Sequence, residues 1–248
     1  MRPVINRILL WVVIGAPALL LGGLLMIYLS LPDVGDLMTN NPRTSALMVQ
    51  RFREAKNSRQ DLVIRQQWVS FDEIPELLKD TIRITEDAAF YRHRGIDFAE
   101  LKAAFKKNWQ KGKYVRGAST ITQQLAKNLY LSTDKSVIRK IKEYLIARRL
   151  ENRLGKKRIF ELYLNVIEFG PGIFGVQAAA NFFFDKNVSR LNLEEMVRLT
   201  AVIPKPLQET PTGNSSWINW KAGWIMDTLR RYEYIDQTEY QVVRERFN

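Results

Sequence analysis

Ile74-Pro-Glu-Leu-Leu-Lys-Asp-Thr-Ile-Arg-Ile-Thr-Glu86-Asp87-Ala-Ala-Phe90-Tyr-Arg-His93-Arg-Gly95 is the run on which the reading of this chain turns. Ile74, Leu77, Leu78, Thr81, Ile82, Thr85, Ala88 and Ala89 recur at helical spacing and predict an amphipathic helix. Ser70-Phe-Asp-Glu73 just before it has capping-box spacing, and Pro75 suits a first helical turn. On that helix Glu86 falls at the edge of the apolar stripe and Asp87 points away. A half-buried carboxylate has a raised pKa, because burial disfavours its charged form, and that suits a general base near neutral pH. Periodicity alone favours the plainer alternative, a boundary glutamate paired with a lysine or arginine. His93 is the only histidine and there is no cysteine, so a His/Cys metal site is excluded. A hydrogen-bonding, supporting role for His93 near Glu86 is the expectation.

Three later runs add polar groups at ordered spacing. In Gly117-Ala-Ser119-Thr120-Ile-Thr-Gln123-Gln124-Leu-Ala-Lys127-Asn128, Thr120 and Gln123 predict a second capping box. The first turn of that helix would offer free N–H groups to an anion. Gln124, Lys127 and Asn128 share one face, suited to sugar hydroxyls and phosphate or to plain solvent. In Arg139-Lys140-Ile-Lys-Glu143, Arg139 and Glu143 can pair at i, i+4, and the two cations can clamp an anionic leaving group. In Ile159-Phe-Glu161-Leu-Tyr163-Leu-Asn165, the apolar set Ile159, Leu162, Tyr163, Val166 and Ile167 marks the buried face. It leaves Glu161, Asn165 and Glu168 on the opposite side. Further helices are expected over Val176–Phe184, Leu193–Val202 and Trp217–Tyr232, and Gln66-Gln-Trp-Val69 reads as a short strand. The chain is mainly α.

From Ile8 to Leu31 no side chain is charged, long enough to cross a bilayer, for which about 20 apolar residues suffice. Its end lacks a small-residue cleavage site, which favours a retained anchor over a cleaved signal. Arg2 and Arg7 before the span, with Asp33 and Asp36 after it, put the N-terminus in the cytoplasm. The expected layout is 1–31 cytoplasmic tip and transmembrane anchor, 32–67 linker and lead-in segment, and 68–248 the working domain. The formal charge is +12, which implies an anionic partner. On a tethered outer domain, anionic lipids and lipid phosphates rank above nucleic acid, for which no motif is present.

Taken together, the four runs resemble the family 51 glycosyltransferases, the peptidoglycan glycosyltransferases. The pattern Glu-Asp-x-x-Phe-x-x-His-x-Gly is met from Glu86 to Gly95, and Gly-x-Ser-Thr-Ile-Thr-Gln-Gln-Leu-x-Lys-Asn from Gly117 to Asn128. Arg-Lys-x-x-Glu is met from Arg139 to Glu143, and Ile-x-Glu-x-Tyr-Leu-Asn from Ile159 to Asn165. The resemblance spans roughly 68–211. It implies a lysozyme-like lobe with a smaller jaw lobe, preceded by one N-terminal transmembrane helix. It implies polymerisation of lipid II onto a growing glycan strand, by inverting transfer with release of undecaprenyl pyrophosphate. By the same resemblance Glu86 is the base and Glu161 a second catalytic carboxylate, orienting or cation-binding. Asp87, Thr120, Gln124, Lys127, Asn128, Arg139, Lys140 and Glu143 bind substrate, with Phe90, His93, Gly95 and Ser119 in support. The resemblance leaves room for a divalent cation, Mg or Mn, at the pyrophosphate. It also leaves room for other cell-wall synthesis or division proteins as partners. The setting it implies is the bacterial inner membrane, single-pass, with the domain on the periplasmic face.

Some positions depart from the family pattern. Phe183-Phe-Asp185-Lys stands where Tyr-Phe-Gly-Lys is common, and Arg198 and Thr200 stand where small or apolar residues are usual. Ser132-Thr-Asp-Lys135 has the spacing of a transpeptidase nucleophile but no Ser-Asp-Asn or Lys-Thr-Gly companion, so a monofunctional enzyme is expected. The rival readings are a lytic enzyme with one catalytic glutamate, which would need no basic clamp, and a non-catalytic membrane scaffold.

Overall fold

The computed structural model describes residues 15–113 and 117–247, and they are mainly helical. In chain order the helices are α1 (Ala16–Leu29), α2 (Ala46–Asn57), α3 (Glu76–Asp87), α4 (Phe98–Lys111), α5 (Ile121–Tyr130) and α6 (Val137–Arg153). They continue as α7 (Lys156–Val166), α8 (Val176–Phe184), α9 (Leu193–Val202), α10 (Ser216–Arg231) and α11 (Gln237–Arg244). A small sheet has the order β1-β3-β2, formed by Arg65–Gln66, Ile173–Phe174 and Glu168–Gly170. β1 runs parallel to β3, and β2 antiparallel to it. Gly170-Pro-Gly172 thus turns a hairpin, and the expected strand near Gln66 begins one residue earlier.

The helix at the opening run is shorter than the stripe suggested. Both arms of the Ser70/Glu73 capping box form, but they open a single 3-10 turn over Phe71–Glu73. Pro75 then stands directly before α3, whose first bond runs from the Lys79 N–H to the Pro75 carbonyl. Ile74, Leu78 and Ile82 are fully buried, each contributing about 1.5–3 kcal/mol by burial.

α5 is the axis of the fold. It packs against α2, α6 and α7, and Ile121, Leu125, Ala126 and Leu129 are in the core. Its polar residues Thr122, Gln123 and Asn128 are buried too, while Gln124 and Lys127 of the expected polar face stay half-buried. Within 32–67, α2 packs on α5, and Arg51 makes a two-pronged ion pair with the buried Glu168 at 2.8 Å.

The Glu161–Asn165–Glu168 side of α7 is corrected. Asn165 is wholly buried. Its side chain accepts from the Val69 N–H at 2.9 Å and donates to the Val69 carbonyl at 3.0 Å, completing the backbone of the incoming segment. Glu168 lies past the helix, in β2. Seven of the eleven residues of α7 face inward because neighbours cover both sides, a fact that periodicity on one helix does not carry.

α1 is a 14-residue apolar helix whose leucines are exposed. Among the described residues no helix is long and apolar enough to cross a membrane, and positions 1–14 of the expected anchor lie outside them. The end of α1 is clasped by Arg149 of α6. Its guanidinium donates to the carbonyls of Tyr28, Leu31 and Pro32 at 3.1–3.2 Å and lies over the Tyr28 ring.

The departures from the family pattern have physical accounts. Asp185, where glycine is common, closes α8 in the left-handed region at φ 53°, which aspartate tolerates better than most residues. Arg198 pairs with Glu194 at 2.8 Å and donates to the carbonyls of Pro211 and Gly213. Thr200 bonds back to the Met196 carbonyl at 2.9 Å.

Candidate active site

Glu86 stands on the last turn of α3, where the helix meets α5 and α10. It is half-buried. The Gln124 amide donates to Glu86 Oε2 at 2.9 Å, and the Tyr163 hydroxyl donates to Gln124 Oε1 at 3.1 Å. Tyr163 is fully buried and its phenol is pushed well above the ordinary value by burial, so it remains a donor and fixes the amide. No hydrogen bond among the described residues uses Glu86 Oε1. Burial pushes the Glu86 carboxyl above the ordinary carboxylate range. The Gln124 bond and the Lys221 and Lys127 ammoniums pull it down, and Asp87 adds to the rise. The half-burial read from the sequence is therefore present, with an oriented amide in place of an ion pair.

Asp87 is placed differently from expectation. It is buried, not turned away, and holds two partners. His93 Nε2 lies 2.9 Å from Oδ1, and the Ile121 N–H donates to Oδ2 at 3.0 Å. The reason is the helix end: after Asp87 the chain leaves α-geometry, and the carboxylate turns to the positive N-terminus of α5. The anion at that N-terminus is thus the protein's own. The Gln123 N–H is taken by Thr120 Oγ1 at 3.2 Å, completing the predicted capping box. Thr120 Oγ1 also donates to the Gly95 carbonyl at 2.7 Å. Gly95 needs φ +87°, and a Cβ there would press on Glu151 and the Ala147 backbone. The Glu86–Gly95 run is so folded onto α5 and α6 by Asp87, His93, Gly95 and Thr120 together. Phe90, wholly buried, packs on Phe160 and lies beneath the Lys156 ammonium.

A second cluster lies along α5 and α6. Glu143 is buried and pairs with Arg139 at 2.6 Å and with Lys140. The Lys140 ammonium also donates to Ser119 Oγ at 3.1 Å. Lys127 has no ion pair among the described residues. Burial lowers its pKa, Glu143 opposes that most strongly, and Arg139 and Lys140 add to the drop. Glu143 is already shared by Arg139 and Lys140 and Glu168 is paired with Arg51, so Lys127 adds positive charge that neither carboxylate neutralises by an ion pair. Lys127 is the link between the clusters, since its charge also acts on Glu86.

Glu161 is not joined to either network. It pairs with Arg158 at 2.9 Å and accepts from the Phe71 N–H at 3.3 Å. Arg158 in turn holds the Leu37 and Asn40 carbonyls. Asn128 is buried one position past Lys127. Among the described residues no group of three acidic or histidine side chains is spaced to hold a metal. Glu143 and Glu161 are each neutralised by basic partners, so these residues do not fit a protein-held divalent cation.

Lys221 of α10 escaped the sequence reading. Burial lowers its pKa and Glu86 raises it. The available signal was a lone lysine inside an aromatic helical face, Trp217, Trp220 and Trp224.

Comparison with known proteins gives the family. The family described as Transglycosylase matches residues 53–230. A biosynthetic peptidoglycan transglycosylase of Methylobacillus flagellatus is 44% identical over 167 residues, 67% of this chain and 73% of the relative. One of Chromobacterium violaceum is 44% identical over 197 residues, 79% and 85% of the two chains. One of Nitrosospira multiformis is 39% identical over 189 residues, 76% and 82%. The chain therefore belongs to the transglycosylase family and is a peptidoglycan glycosyltransferase.

Proposed function

We propose that the chain polymerises lipid II, with Glu86 as base and Lys127, Arg139 and Lys140 as the leaving-group clamp. The observation that carries this is the placement of Glu86: one oxygen is held by a fixed amide, the other has no hydrogen bond among the described residues, and the Lys127 and Lys221 charges act on it. Glu86 Oε1 takes the proton of the acceptor's 4-hydroxyl. That oxygen bonds to the donor's anomeric carbon from the face opposite the leaving group, which inverts the centre. The bond from that carbon to the pyrophosphate breaks, and its electron pair leaves with undecaprenyl pyrophosphate. The clamp balances that charge before it develops, so little reorganisation is needed. No step is routed through a divalent cation. A cation, where used, is carried in by the pyrophosphate, and assays with and without Mg or Mn test this. Glu161 holds the Phe71 N–H in the turn after β1, and Arg158 holds the Leu37 and Asn40 carbonyls before α2, so the pair supports both segments against α7. Ser132 donates to Asp134 in an exposed loop, which supports reading Ser132-Thr-Asp-Lys135 as a surface turn and not as a transpeptidase nucleophile.

The test is purified protein with lipid II in detergent, reading glycan products on a gel and released undecaprenyl pyrophosphate. Glu86→Gln is expected to slow both by about 100-fold or more, the usual worth of a general base. Cleavage of finished glycan with none of lipid II would overturn the reading.

We further propose a single membrane span over Ile8–Leu31 with the domain outside. The bare leucines of α1 support it, as does α4. Phe98, Leu101, Phe105 and Trp109 form an exposed row there, Trp109 at 78%, beside Lys102, Lys106 and Lys107. Such a helix suits an anionic bilayer surface, and α4 would be the smaller lobe.

A further inference from the structure

The extended segment that carries β1 is longer than the strand itself. From Asp61 to Trp68 exposure alternates: Asp61, Val63, Arg65 and Gln67 are exposed, and Leu62, Ile64, Gln66 and Trp68 are half-buried. That is the period of an extended chain. β1 is an edge of the sheet, because the strand order is β1-β3-β2. The Arg65 N–H turns inward and donates to the Gly172 carbonyl at 2.7 Å. Backbone groups of successive strand residues point to opposite sides, so those of Ile64 and Gln66 turn to the open edge. Among the described residues no hydrogen bond uses the N–H of Leu62, Ile64 or Gln66.

α2 lies alongside, since Ile64 packs on its Leu47 and Met48. Between helix and segment are two cavities, of about 400 and 600 Å³, and Phe52 lines both. Phe52 is 53% exposed and Val63 62%. Val49 and Ile64 continue the apolar wall of the first cavity, Leu62 and Val63 that of the second. The rim of this trough is basic. Arg43, Lys56 and Arg59 stand on it with one carboxylate, Asp61, and Glu54 nearby on α2 is already paired with Arg51 at 2.8 Å. Charge and backbone together select the occupant. A second copy of this chain would bring more positive charge, +12 in all, to a basic rim. Acyl chains offer no donor or acceptor to an open strand edge. An acidic, extended peptide meets every feature: its backbone pairs with the edge, its alternate apolar side chains enter the trough, and its carboxylates meet the rim.

We propose that the groove between α2 and residues 61–66 docks an acidic, extended segment of another protein, which adds as a strand to the open edge of β1. The probe is a fluorescein-labelled octapeptide of alternating valine and glutamate, titrated with the full chain in detergent and read by anisotropy. It should bind saturably. Lysine in place of its glutamates should weaken binding about tenfold or more, and N-methylation of the alternating set of amides that faces the edge should do the same. Phe52→Ala and Lys56→Glu should each weaken it about fivefold or more, with the thermal melt and lipid II polymerisation unchanged. No saturable binding of the valine–glutamate peptide would overturn the proposal. So would equal binding of the lysine peptide, equal binding of peptides methylated on either set, or full affinity in both variants. The other occupants have their own signatures. Self-association of the wild type that Phe52→Ala abolishes would give the groove to a second copy. Loss of anionic-vesicle binding in Phe52→Ala, with peptide affinity unchanged, would give it to lipid. Either result also overturns the proposal.

Discussion

Glu86, the proposed base, sits in an environment that disfavours its charged form. Its carboxyl binds a proton more tightly folded than unfolded, because burial outweighs the nearby cations. Such a group adds stability below its unfolded pKa and loses it as pH rises through the folded value. At neutral pH Glu86 therefore costs stability. Glu86→Gln should melt higher than wild type at pH 7, and the gap should close on acidification below the ordinary carboxylate range. A thermal melt series over pH checks this, and a variant that melts lower at pH 7 would contradict it. The same shift sets the rate profile. The acid limb of kcat/KM should lie above the ordinary carboxylate value, since Glu86 must lose its proton. The alkaline limb should fall below the ordinary lysine value, since burial lowers Lys127 and Lys221. Of these groups, Glu86 and Lys127 were legible in the sequence through spacing. Lys221 was not, because its partner is 135 positions away and on another helix.

At the level of elements, glycines and caps fix where the polar groups point. Gly175 opens α8 at φ +81°, and a Cβ there would lie 2.6 Å from the Asn165 carbonyl oxygen. Gly175→Ala should therefore cost about 2 kcal/mol or more, from strain and from the displaced Asn165 latch. Thr120→Ala should cost about 1 kcal/mol as a lost cap, and denaturant melts would rank the two. Helix positions were readable because apolar spacing is a local property: Val176–Phe184 and Leu193–Val202 begin and end as the pattern predicts. Asp87 and Asn165 were misplaced for one shared reason. Each is aimed by a neighbour far along the chain, the α5 N-terminus for one and Val69 for the other. A helical wheel has no place for such a partner.

For the whole molecule, the proposed membrane contact joins α1 and α4. In liposomes with brominated acyl chains, wild-type tryptophan fluorescence should be quenched, and Trp109→Phe should lose part of the quenchable signal. Anionic lipid should strengthen the α4 contribution, and added salt should weaken it, since exposed lysines are screened within about 10 Å at 0.1 M. Quenching identical in Trp109→Phe would remove α4 from the bilayer. The mainly helical body was readable from periodicity, whereas the burial of both faces of α5 was not. That arises when α2, α6 and α7 close around it, and no single helix encodes it.

The clasp between Arg149 and the end of α1 has a mechanical side. Arg149 and the cation pair Arg139–Lys140 sit on the same unbroken helix, ten residues apart. At about 1.5 Å per residue that fixes a separation of roughly 15 Å along the axis. α6 therefore acts as a gauge block. In the proposed membrane setting, the depth of the α1 end would set the height of Arg139 and Lys140 above the bilayer through this one helix.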